Sequence, residues 1–117
     1  MMYSLAIVIL LSSIIGNPVF AQNPCDGLPQ VIITGEVVAV KHPIALVRDS
    51  YGNIYHVRLG PYWFWKKQGF YLKVGEHVRI VAIQKGLLLF PIVISSQDFG
   101  VFRIRNECGE PLWRTER

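Results

Sequence analysis

Charged side chains are absent from the start of this chain: Met1 to Ala21 contains no Lys, Arg, Asp or Glu. Cysteine is nearly absent too, with two residues, Cys25 and Cys108, neither in Cys-x-x-Cys or His/Cys ligand spacing. That spacing excludes the ordinary zinc-ribbon and dithiol-redox readings. No phosphate-cradling glycine loop is present, and no nucleophile-elbow glycines surround Ser50, Ser95 or Ser96. The carboxylates Glu36, Asp49, Glu76, Asp98, Glu107 and Glu110 are scattered through expected turns and strand ends, where no acid/base pair can be read. Repeats, low-complexity tracts and linkers are missing after Pro29. The expectation is one domain, no catalytic constellation and no cofactor.

What is present begins with a targeting pattern. Leu5 to Leu11, continued by Ile14 and Ile15, is an uncharged apolar run that breaks at Gly16-Asn17-Pro18. Val19-Phe20-Ala21 offers tolerated side chains for cleavage after Ala21. A spanning helix needs roughly 20 apolar residues, and this run stops short of that. The n-region has no Lys or Arg, which is atypical, and Asn23-Pro24 before Cys25 does not suit lipidation. The expected division is a signal peptide over 1–21, an N-terminal segment over 22–30 and a single β-domain over 31–117. The product would be periplasmic or secreted, with no membrane span left after cleavage.

In an oxidising compartment an isolated cysteine pair is most simply a disulfide, here Cys25–Cys108. It would close most of the mature chain, and long loops gain the most in the chain-entropy picture, roughly 4–5 kcal/mol before strain. The formal charge of +4 lies wholly in the mature part. It favours acidic partners without making a polycationic surface.

The mature part reads as strands. Val31 to Val40 is rich in β-branched residues, and Gly35 within it suggests a bulge or bend. Ile44 to Asp49 and Ile54 to Leu59 flank Ser50-Tyr51-Gly52-Asn53, which has hairpin-turn composition. An even-numbered loop would put Ile44 and Leu46 on the core face with Tyr55, Val57 and Leu59. A three-residue loop would set His56 and Arg58 against those apolar residues, so the even loop is expected. His77 to Gln84 alternates, Leu87 to Ser95 is apolar throughout, and Val101 to Arg105 is the last clear strand. Pro91 cannot donate to a ladder and requires an edge or a bulge.

Between the third and fourth strands lies the most distinctive stretch, Tyr62-Trp63-Phe64-Trp65-Lys66-Lys67, bracketed by Gly60-Pro61 and Gly69. Pro at the start and Gly just past the end predict a short helical turn over Tyr62 to Gln68. The whole pattern predicts an all-β, OB-like barrel of five to six strands with one short helical turn after the third. An SH3-like barrel or small sandwich is the competing architecture.

Several motifs also carry a family resemblance. They are Thr34-Gly35-Glu36-Val37-Val38, Val57-x-Leu59-Gly60-Pro61-Tyr62-Trp63-Phe64-Trp65, Gly69-Phe70-x-Leu72-Lys73-x-Gly75-Glu76-x-Val78 and Arg105-Asn106-Glu107-x-Gly109-x-Pro111-Leu112-Trp113. The chain resembles a group of small exported bacterial β-barrel proteins. It is similar to the domain shared by the magnetosome proteins MamS and MamX, and more distantly to periplasmic OB-fold proteins. The resemblance implies fold and export but no defined activity. Where that pattern has a plain polar turn, this chain has Cys108, which fits a disulfide particular to this branch.

No regular backbone can point four consecutive rings one way. Tyr62, Trp63, Phe64 and Trp65 therefore divide between closing the barrel and facing outward, with Lys66 and Lys67 beside them as the candidate contact. Arg48, Arg58, Arg79, Arg103 and Arg105 add basic character. Export removes most nucleic acid from reach, leaving an envelope protein or an anionic ligand such as a glycan as the expected partner. His56 and His77 are the alternative: strand neighbours that would meet on the outer face and serve metal or haem/electron-transfer chemistry. The solvated-surface reading of the histidines is preferred.

Overall fold

The computed structural model describes residues 29–115. The candidate signal, residues 22–28 and Cys25 lie outside the described residues. The strands are β1 (Gln30–Lys41), β2 (Ile44–Asp49), β3 (Ile54–Arg58), β4 (His77–Lys85), β5 (Leu88–Ser96) and β6 (Gly100–Arg103). A helix, α1 (Tyr62–Gln68), follows β3, and a 3-10 turn covers Leu112–Thr115.

The sheet order is β3-β2-β1-β4-β5-β6, and β3 pairs again with β5, so the first five strands close into a ring. All the pairings are antiparallel except β3–β5. Strand order and helix position are those of a small OB-like fold, as expected. Long β1 makes this possible. Its first half pairs with β4 and its second half with β2, the two sets overlapping at Gly35 and Glu36.

Gly35 has a different role from the expected bulge. A Cβ there would collide with the Arg48 carbonyl and the Val47 side chain, so glycine lets β2 approach closely. The irregularity in β1 falls between Val37 and Ala39 instead. Pro91 behaves as anticipated: the β4–β5 register slips beside it, with Ala82 opposite Pro91 and Val81 opposite Val93.

The β2–β3 hairpin corrects the expected register. Asp49 and Asn53 face each other, the Asp49 N–H donating to the Asn53 carbonyl at 3.0 Å, around a three-residue loop. Ala45 opposes Val57 and Val47 opposes Tyr55, and these four are the buried residues. Ile44 and Leu46 turn outward, opposite Arg58 and His56. Small Ala45 and Val47 satisfy the interior of a narrow ring, and His56 and Arg58 stay exposed. The Asp49 carboxylate organises the loop by accepting from the Tyr51 and Asn53 N–H groups at 2.9 Å each.

The core is continuous across the ring: Val37, Val47, Val57, Ile80, Ala82, Leu89 and Ile94 meet α1 and the C-terminal Phe102 and Ile104. Burial of this apolar set is the main stabilising term. Loop 73–76 is tied to it through Glu76. That carboxylate accepts from the Lys73 N–H at 3.1 Å and the Ser96 hydroxyl at 2.7 Å.

Candidate functional site

Pro61 stands at the N-cap of α1 with φ −73° and ψ 143°, and Gly69 closes it in the left-handed region with φ 79°. The Gly69 N–H returns to the Lys66 carbonyl and the Phe70 N–H to the Trp65 carbonyl, both at 3.1 Å. A seven-residue helix held this way must face its rings in different directions.

Phe64 and Trp65 point inward and are buried. The Trp65 indole N–H donates to the Leu59 carbonyl at 2.8 Å, so the ring enters the core without an orphaned donor. Phe102 meets Trp65 edge-on at 4.7 Å between centroids and stacks on Phe70 at 4.4 Å. Trp113 covers the same end, tilted against Phe64 at 5.9 Å. It lies directly over Gly60, where φ is +81° and a Cβ would strike the indole. Trp63 is half-buried, edge-on to Phe64.

Tyr62 is the ring the plug leaves out, 52% exposed, and Lys66 and Lys67 are exposed beside it. Tyr62 and Lys66 line a groove of about 310 Å³ with Gly69, Phe70 and Tyr71. Tyr71 is 61% exposed and was not singled out from the sequence. The signal was there: Phe70 and Leu72 turn to the core, so Tyr71 between them faces out. His42 supports the groove from below. Its ring is edge-on to Tyr62 at 5.3 Å and to Trp65 at 5.4 Å, with Nδ1 3.2 Å from the Gly60 carbonyl oxygen. Phenol faces, hydroxyls and an ammonium can stack and hydrogen-bond, and the lining holds no nucleophile–base pair.

A larger open hollow of about 660 Å³ lies along β1, β4 and the β5–β6 hairpin. Its most buried charge, Glu76, is already engaged with Lys73 and Ser96. No Phe, Tyr or Trp ring lines it, only the His77 imidazole.

The histidine alternative is corrected by register. His56 is level with Leu88, which pairs with Lys85 at one end of β4. His77 pairs with Glu36 at the other end. The length of β4 separates them, roughly 26 Å at about 3.3 Å per residue. Among the described residues no group of three or more His, Cys, Asp or Glu side chains has metal-holding geometry. Cys108 is half-buried in the turn that Asn106 organises, its N–H donating to the Asn106 Oδ1 at 2.9 Å.

The sequence reading also missed how deeply Arg105 is buried. Its Nη1 donates to the Arg58 and Pro91 carbonyls at 3.0 Å each. The guanidinium lies 5.6 Å from the Phe90 ring centroid and 5.1 Å from that of Trp113. Burial first, and the Arg58 charge second, push its pKa down to about 10. Arg58 and Lys85 also lie over Phe90, at 5.9 and 5.5 Å.

Ring closure through β3 and β5, with an aromatic helix in one end, defines a small OB-like β-domain. Residues 30–87 match the model of the MamS/MamX magnetosome protein family. No curated protein and no solved structure matches the chain.

Proposed function

We propose that the chain is a non-catalytic binding or assembly module of the bacterial cell envelope, exported by its N-terminal signal and holding a protein partner. The observation that carries the reading is the division of rings at α1. Phe64 and Trp65 pack into the core of the ring, while Tyr62 and Tyr71 stay exposed and line one groove with Lys66. Exposed tyrosines are among the residue types that anchor protein contacts, and a lysine beside them suits the polar rim. The family name makes a magnetosome-associated setting part of the same proposal. A Cys25–Cys108 disulfide, formed after export, belongs to it as well.

The test uses tagged full-length chain expressed in its native cells. Partners recovered with the wild type should be lost with the Tyr62→Ala/Lys66→Ala/Tyr71→Ala variant, whose exposed substitutions leave folding intact. A folded variant that recovers the same partners in the same amounts would overturn the groove as the contact.

A further inference from the structure

We propose that Arg58, Lys85 and Arg105, gathered around Phe90 at the seam between β3 and β5, form a binding site for a phosphate group. Three cationic side chains converge on one half-buried ring, at 5.9, 5.5 and 5.6 Å from its centroid. Among the described residues no carboxylate pairs with any of them, the ion pairs being Arg48–Glu36 and Arg103–Glu107. The other described carboxylates are committed or distant. Asp49 holds its own turn, Glu76 holds loop 73–76, Glu110 accepts from Asn106, and Asp98 lines the hollow.

The arrangement is repulsive as it stands. Arg105 has a structural duty through its two carbonyl contacts, but the exposed Arg58 and Lys85 side chains make no hydrogen bond or ion pair with the described residues. Like charges held together beside a buried guanidinium disfavour the folded state unless an anion joins them. One carboxylate would leave most of that charge uncompensated. A phosphate group carries about −1.5 to −2 and several acceptor oxygens, and guanidinium groups match its geometry in a bidentate fork. Phe90 gives a flat apolar wall beside the charges, suiting a phosphate attached to a larger body. This site shares no residue with the α1 groove and does not depend on that reading.

The experiment is an amide NMR titration of the folded protein, as purified from its native cells, with inorganic phosphate at low ionic strength. Shifts should localise to Arg58, Lys85, Phe90 and Arg105. Arg58→Gln and Lys85→Gln, both at exposed positions, should each weaken the interaction about tenfold. The Tyr62→Ala/Tyr71→Ala variant should titrate like the wild type, separating this site from the groove. Co-sedimentation with phosphatidylglycerol vesicles, against phosphatidylcholine vesicles, identifies the source. Binding to the former that is lost in Arg58→Gln/Lys85→Gln assigns the phosphate to a lipid headgroup. Phosphate shifts without vesicle binding assign it to a soluble ligand. No shifts and no vesicle binding, or a double variant that behaves like the wild type, overturns the proposal.

Discussion

The Arg105 guanidinium donates to the Pro91 carbonyl at 3.0 Å, at the point where the sheet ladder between β3 and β5 has ended. That ladder comprises only His56 opposite Leu88 and Val57 opposite Leu89. The same nitrogen reaches the Arg58 carbonyl at the end of β3, so one side chain bridges the two strands that close the ring. Replacing Arg105 by Met keeps the stem and removes the bridge. Relief of the buried charge offsets part of the loss, but two carbonyls are left without their donor. We expect about 2–4 kcal/mol of destabilisation in urea unfolding. An unchanged midpoint would show that the seam does not need the bridge.

The two faces of α1 should separate in stability. Trp65→Phe removes the indole donor to Leu59 and part of a fully buried ring, and should cost about 2–4 kcal/mol. Tyr62→Ala touches a mostly exposed ring and should stay within about 0.5 kcal/mol. Thermal and urea unfolding of both variants check this. Equal losses would contradict the assignment of one residue to the plug and the other to the groove.

Much of this end of the molecule was legible in the sequence. Pro61 and Gly69 bracket the helix because a fixed φ and a left-handed φ are what its two ends require. Strand number and helix placement after β3 followed from the same punctuation. The hairpin face was read wrongly because Ile44 and Leu46 are larger and more apolar than Ala45 and Val47. Volume inside the ring decided the matter, and a one-residue change of loop length reverses every face. Gly35 looked like a bulge because local sequence does not show which strand passes over it. The Phe90 cluster was hidden for the same reason, since it depends on packing between segments far apart in the chain. The outward turn of Tyr71, in contrast, was legible from its place between Phe70 and Leu72.

Acid should act through the β2–β3 turn. Some burial raises the Asp49 pKa, but hydrogen bonds from Asn53, Tyr51 and Tyr55 together outweigh it and leave the pKa below the ordinary 3.8. A carboxyl whose folded value is depressed contributes stability that is present above its unfolded value and lost as pH falls through the folded one. Urea midpoints should therefore drop below about pH 4. Asp49→Asn should make that drop shallower, since its amide oxygen still accepts from the turn but does not titrate. An identical acid profile in the variant would remove Asp49 from the explanation.

The proposed Cys25–Cys108 disulfide predicts a faster-migrating chain on a non-reducing gel than after reduction. Cys108→Ser should abolish the difference and lower stability by about 2–5 kcal/mol. Two titratable thiols in the protein purified from its native envelope would contradict it.

The most direct test of a contact surface at α1 is site-specific photocrosslinking in intact native cells. A benzophenone amino acid at Tyr71, beside Lys66 and Tyr62, is compared with one at Tyr51 in the β2–β3 turn at the other end of β3. The expected result is one discrete adduct with an envelope protein from position 71 and none from position 51. No adduct from position 71, or the same adducts from both positions, would contradict the assignment of the groove as the binding surface.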